Sequence, residues 1–274
     1  MHRAPGGSSS GPAVAGATDM AMIGVCTDTG GSARVPASVC GLAGYRPSEG
    51  VFPDDGMLKF TIADRIGVIG KTVEDVRLFS DIVSEVDLSQ AKSSPKKIKT
   101  SPTALLQGFL FGIFSELDKR QVGDLAVKEL VMFLETNLPE HQLNFSPRVQ
   151  KMIQEGRESS ADSVQIILDF IVKFAAEKSS ELFSTTDFLV TPTVPIPPPT
   201  IEALSTDEGY EAISDSMFEF TILGSLLWGT AITVPNGFDN ESLPVGLQFI
   251  GLAGSDRDLF AIASTIENLI AAEL

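Results

Sequence analysis

Apolar positions along this chain follow two rhythms. Between about 103 and 184, Val122, Leu125, Ala126, Leu130, Phe133 and Leu134 recur mostly at three- and four-residue steps. Val164, Ile167, Leu168, Ile171, Phe174 and Ala175 repeat the pattern. Such spacing lines one face of a helix, so this stretch is predicted helical. Elsewhere the apolar runs are short and predict buried strands at Met20–Val25, Ile62–Ile69, Phe188 onward, Ala231–Val234 and Pro244–Ile250. Helices are predicted between them. One opens at Pro12, which suits a first helical position, and a small-residue helix spans Pro36–Leu42. Another runs from Thr72 to about Val86, with Thr72 and Asp75 spaced as a capping box. Further helices are expected over Ile213–Leu227 and Asp256–Ala272. Leu88–Pro102 is polar and partly basic and reads as a surface loop, while prolines at 192, 195, 197, 198 and 199 stiffen the chain after the Phe188 strand. Strands alternating with helices predict an α/β fold with a mixed or mainly parallel sheet.

Composition narrows the function classes. The 274 residues allow one large domain or two small ones. With 43% apolar and 20% charged residues the chain is globular. Lys plus Arg total 20 against 36 Asp plus Glu, a net charge of -16 that repels phosphate backbones and argues against nucleic acid as a partner. Ala104–Phe114 is broken by Gln107, and Phe220–Val234 by Ser225 and Thr230, so no membrane span is expected. Met1–Gly7 has no apolar core of a secretory signal. Cys26 and Cys40 form no CxxC and cannot build a disulfide framework, which fits a reducing, cytoplasmic setting. His2 and His141 are the only histidines, and neither suits a catalytic triad or a metal site. No metal and no cofactor is expected.

Two loops carry candidate chemistry: Gly6-Gly7-Ser8-Ser9-Ser10-Gly11 and Asp28-Thr29-Gly30-Gly31-Ser32-Ala33-Arg34. Glycines beside a serine let main-chain N–H groups approach a ligand closely. Gly30 and Gly31 could form a nest of donors for the oxyanion of an acyl-transfer intermediate, making Ser32 a candidate nucleophile. A serine needs a base, and without a usable histidine a second serine relaying to a neutral lysine is a sound alternative. A flexible linker is the plain alternative for the first loop. Phosphate binding is also open, although neither GxxxxGK[ST] nor GxGxxG occurs.

The order of motifs resembles the amidase signature family. The two serine loops are followed by Cys40-Gly-Leu-Ala-Gly-Tyr-Arg-Pro-Ser48, then Asp64-Arg-Ile-Gly67, then Thr72-Val-Glu-Asp75. Thr191-Pro-Thr193 and Pro244-Val-Gly-Leu-Gln-Phe-Ile-Gly251 complete a collinear match over nearly the whole chain, weakest between 88 and 145. Within the family, Ser8-Ser9-Ser10 and Arg46-Pro47-Ser48 look most like plant-type indole-acetamide hydrolases. The resemblance implies a single amidase domain over 1–274, with a mixed, mostly parallel sheet covered by helices on both sides. It implies hydrolysis of a carboxamide C–N bond without metal or cofactor. Ser32 matches the nucleophile, and Ser8 the bridging serine, which in the family follows a cis peptide. Thr29, Gly30, Gly31 and Ser32 match the oxyanion hole; Ser9, Asp28 and Arg34 match the supporting polar network. A small-molecule amide is the expected partner, with a homodimer left open.

One departure bears on activity. The family's base is a lysine in a G-x-P-x-x-x-K-D context before the first serine loop, and no lysine of this chain, the first being Lys59, matches it. The resemblance therefore implies a fold lacking its N-terminal portion and a chain that is inactive or impaired by itself. The alternatives are a non-catalytic binding or interaction protein that keeps the pocket loops, an unstable fragment, and a protein like the A component of an amidotransferase. Met217, Phe218, Leu226 and Trp228 are candidates either for the acyl pocket or for core.

Overall fold

The computed structural model describes residues 2–57, 59, 61–84, 88, 96–100, 128, 131, 134–136, 145, 147–158 and 161–273. The strands are β1 (Ile23–Asp28), β2 (Ala43–Arg46), β3 (Arg65–Gly70), β4 (Ile98–Thr100), β5 (Phe188–Pro192), β6 (Thr230–Phe238) and β7 (Pro244–Gly251). They form one sheet in the order β1-β3-β2-β6-β7-β5-β4. The helices are α1 (Ser10–Ala17), α2 (Arg34–Val39), α3 (Val73–Val83), α4 (Pro147–Glu158), α5 (Ala161–Leu182), α6 (Asp207–Phe218), α7 (Thr221–Leu226) and α8 (Asp256–Glu273).

Successive side chains on a strand point to opposite faces, and the core divides accordingly. Tyr45, Val68, Phe188, Ile232 and Phe249 pack with Val73 and Val76 of α3 and with Leu259, Phe260 and Ala263 of α8. Their strand neighbours face the other way. Ile69 meets Ala13 of α1 and Ala33 and Ala37 at α2. Leu189, Ala231 and Ile250 meet Phe220, Leu223 and Leu227 at α7 and its ends. Helices thus cover both faces, as expected. The small residues of the first fifty positions let α2 lie hard against the sheet. A Cβ on Gly44 would sit 2.6 Å from that of Ala37, and one on Gly67 would sit 2.7 Å from that of Ala33.

The mixed α/β sheet is present, but it is not mostly parallel. Five neighbouring pairs are antiparallel, and β4–β5 alone is parallel among the described residues. The helix α2 does carry the chain between two strands of the same direction, β1 and β2. The strand β3 then returns between them, antiparallel to both. A short return at 239–243, closed by the Asp239 N–H donating to the Leu243 carbonyl, makes β6 and β7 a hairpin.

Other boundaries shift for local reasons. Met20 and Met22, expected inside a buried strand, are 80% and 82% exposed. The N–H groups of Thr18, Met20 and Ala21 still bond back to α1, so the ladder starts only at Ile23. Ile62 is likewise exposed, because Asp64 closes a turn over Thr61 before β3 begins. The predicted helix from Thr72 is present with both halves of its capping box, and ends at Val83. The predicted Ile213–Leu227 helix divides into α6 and α7. Within the segment expected as surface loop, Leu88 is buried in the core and Ile98–Thr100 forms β4. Ala104–Phe114, Val122, Leu125, Ala126, Leu130, Phe133 and His141 lie outside the described residues. Leu134 packs with Val131 and Ile153, and the second predicted apolar face belongs to α5. Among the described residues no helix is long and apolar enough to cross a membrane.

Candidate active site

The loop Thr29–Ala33 joins the end of β1 to the start of α2 and is held from several directions. Asp28, the last residue of β1, is completely buried, as is Arg34. The Asp28 Oδ1 accepts from Arg34 Nη2 at 2.8 Å, and Oδ2 accepts from Arg34 Nε at 3.0 Å. Oδ2 also accepts the main-chain N–H groups of Ala33 and Arg34, at 3.2 and 3.3 Å. Burial by itself pushes the Asp28 carboxyl up. The charge and hydrogen bonds of Arg34, with the charge of Arg46, outweigh that and leave it below the ordinary 3.8.

The rest of the Arg34 fork reaches across the fold. Nη1 donates to the Thr221 carbonyl at 2.8 Å and to Gln248 Oε1 at 2.6 Å, and Nη2 to Ser225 Oγ at 3.2 Å. Gln248 in turn donates to Thr191 Oγ1 at 3.1 Å. One guanidinium therefore binds β1, α7, β7 and, through Gln248, β5.

Three further contacts hold the loop. Arg46 Nη1, from β2, donates to the Asp28 carbonyl. Thr29 Oγ1 donates to Asp64 Oδ1 at 2.6 Å. The Ser9 N–H donates to the Ser32 carbonyl at 3.1 Å, joining the two serine loops. Gly31 has φ +134°, and a Cβ there would fall 2.1 Å from Thr221 Oγ1, so only glycine fits. The consequence is a row of open donors: the N–H groups of Gly30, Gly31 and Ser32 bond to no described residue. The Ser32 hydroxyl also bonds to no described residue, and Ser32 keeps 9% exposure. Phe218 and Ile222 approach Gly30, each 3.8 Å from where its Cβ would be.

Ser9, Asp28, Thr29, Gly30, Gly31, Ser32 and Arg34 are thus gathered at one place. Ser8 is exposed, its peptide bond from Gly7 is cis, and no hydrogen bond joins it to Ser32. Met217 is core, whereas Trp228 is half-buried with Arg65 stacked 5.9 Å over its ring. Arg46, Asp64, Thr221, Ser225 and Gln248 are participants to which no role was assigned from sequence. Arg46, Asp64 and Gln248 lie inside motifs already recognised. Thr221 and Ser225 share only a four-residue spacing that puts them on one helical face. Cys26, behind the loop, has its thiol pushed up to about 12, chiefly by burial, and Cys40 to about 11 for the same reason. Both are poor nucleophiles at neutral pH.

A two-sided α/β sheet carrying a Gly-Gly-Ser turn, clamped by a buried carboxylate–guanidinium pair, defines the structural class. The chain belongs to the amidase family: the family described as Amidase matches residues 1–147 and 114–260. It is 29% identical over 302 residues to the 2-amino-5-chloromuconic acid deaminase of Comamonas testosteroni, covering 98% of this chain and 65% of that protein. It is 27% identical over 331 residues to the A component of the glutamyl-tRNA(Gln) amidotransferase of Thermotoga maritima, covering 97% of this chain and 68% of the relative. A crystal structure of an amidase superposes with a TM-score of 0.82 at 24% identity, over 97% of this chain and 67% of the other. The chain spans about two thirds of the length of the relatives it matches.

Proposed function

We propose that the site hydrolyses carboxamide C–N bonds through an acyl-enzyme on Ser32. The observation that carries this reading is the set of open N–H groups on Gly30, Gly31 and Ser32, next to an unengaged Ser32 hydroxyl. The Ser32 Oγ attacks the amide carbon and forms the C–O bond. Its proton passes by way of Ser8 to a base and then to the leaving nitrogen as the C–N bond breaks. Water next cleaves the ester and frees the acid. Main-chain N–H groups of Thr29 to Ser32 hold the oxyanion, and Ser9, Asp28 and Arg34 keep the loop in shape.

Among the described residues no lysine or histidine hydrogen-bonds Ser8 or Ser32. Residues 1–274 assayed by themselves are accordingly expected to turn over about three to six orders of magnitude below an intact triad. The test is covalent labelling of Ser32 by a fluorophosphonate, read by intact mass, together with ammonia release from a panel of primary amides. Labelling of wild type but not of Ser32→Ala supports the reading. Absence of labelling in excess reagent over hours refutes it. Turnover at ordinary enzyme rates that Ser32→Ala abolishes would refute the expected impairment.

A second reading is that of an amidotransferase A-type component, favoured by the relative from Thermotoga maritima. It predicts glutaminase activity only when partner proteins are supplied. Amide hydrolysis unchanged by partners, and without preference for glutamine, would count against it.

A further inference from the structure

Three charged side chains lie behind the serine turn with no exposure at all: Asp28, Arg34 and Arg46. Asp28 uses its carboxylate oxygens for Arg34 and two main-chain N–H groups and makes no side-chain hydrogen bond to Arg46. Arg34 spends its donors on Asp28, Thr221, Gln248 and Ser225. Arg46 does not. Its Nη1 lies 3.6 Å from Asp28 Oδ1 and donates to the Asp28 carbonyl, while its Nε and Nη2 have no hydrogen-bond partner among the described residues. Asp64, almost fully buried, and Arg65, which is paired with Glu49, also face it. A buried guanidinium with open donors is costly, so its retention at this place calls for an account.

The contacted carbonyl provides one. Asp28 C=O and Thr29 N–H belong to the same peptide group. A cation on the oxygen polarises that group and strengthens its N–H as a donor. The same contact fixes the plane of the peptide where the turn leaves β1. We propose that Arg46 is a positioning residue for the serine turn: through the Asp28–Thr29 peptide it aligns the donors at Thr29 and beyond, and its charge favours negative charge developing on a substrate oxygen there. This rests on the acyl-enzyme reading above.

The test measures the second-order rate of Ser32 labelling by a fluorophosphonate, whose phosphoryl oxygen gains charge as the serine adds. Arg46→Met should slow labelling roughly 10- to 100-fold, less than the loss of a direct oxyanion donor. Arg46→Lys should recover most of that rate near pH 6. Burial pulls the Arg46 guanidinium itself down to about 9 and lowers a lysine there further, so the rate of Arg46→Lys relative to wild type should fall about tenfold as pH rises from 6 to 8, where the wild-type arginine keeps its charge, with folding checked at each pH. A structural role alone would not produce that profile. A flat ratio in Arg46→Lys overturns the inference even if Arg46→Met fails to fold, as does a wild-type labelling rate in folded Arg46→Met. Wild type that is not labelled, or is labelled equally in Ser32→Ala, overturns the acyl-enzyme reading, and this inference with it.

Discussion

Asparagine at position 28 is nearly the shape of aspartate, so Asp28→Asn isolates the charge. In the native site Oδ2 accepts from Ala33 N, Arg34 N and Arg34 Nε, and Oδ1 accepts from Arg34 Nη2. Every neighbour is a donor. Either orientation of the new amide therefore turns an NH2 group toward donors and breaks at least one charge-assisted bond, worth about 1.5–3 kcal/mol. It also leaves the fully buried Arg34 without its ion-pair partner and removes the carboxylate 3.6 Å from Arg46. Breaking a buried pair in this way costs about 3–5 kcal/mol, at least about a fifth of the roughly 5–15 kcal/mol that holds a typical domain. Urea unfolding followed by the fluorescence of Trp228, the chain's one tryptophan, measures the loss. The sign with pH is set by the lowered carboxyl: the folded state gives up the Asp28 proton more readily than the unfolded chain, whose value is near 3.8. The stabilisation is thus present above that value and lost as pH falls through the lower folded value. The gap between wild type and Asp28→Asn should shrink in that acid window. A loss under about 1 kcal/mol at pH 7 would refute the reasoning, given the 3–5 kcal/mol expected. So would a gap unchanged on acidification, or strict additivity of Asp28→Asn with Arg34→Met, since charges in contact must couple.

Three other expectations are independent of the substrate. Gly31→Ala forces both a left-handed backbone and a clash with Thr221, and should cost about 3 kcal/mol or prevent folding. Gly11→Ala, where nothing lies within 4 Å in the first turn of α1, should instead raise thermal stability by up to about 1 kcal/mol. With thiols near 12 and 11, the partly buried Cys26 and Cys40 should react slowly with a thiol reagent at pH 8 until urea unfolds the chain; fast native-state modification of Cys26 would contradict its raised thiol.

The elements that were legible in sequence are those with local causes. The capping box at Thr72 and Asp75 is written in four consecutive residues, and both of its bonds are present. Phe188–Pro192, Pro244–Gly251 and Asp256–Glu273 fall within a residue or two of their predicted bounds. Strand direction was not legible, because it depends on which strand fills the gap beside β1. The strand that fills it, β3, comes after β2 in the chain, and no local pattern records that insertion. The slip at Met20 has the same origin: six apolar residues look alike, and only the hydrogen bonds returning to α1 decide where pairing can start.

The site divides along the same line. Ser32 and its glycines announce themselves because a turn with φ +134° and a Cβ position filled by Thr221 admits only glycine at 31. Arg34 and Asp28 were recognisable through the family resemblance, which assigns both to the polar network around that turn. What holds the pair in place was not: Gln248 is 214 positions from Arg34, and Ser225 is 191 positions away. Neither distance is encoded in spacing. Yet the buried guanidinium required such partners, since a fork of five donors closed off from water must find acceptors somewhere in the chain. Read in that direction, Arg34 already demanded a polar residue inside an apolar segment. The Gln248 side chain in the middle of Leu-Gln-Phe-Ile, a strand otherwise suited to a dry core, was the signal available to meet that demand.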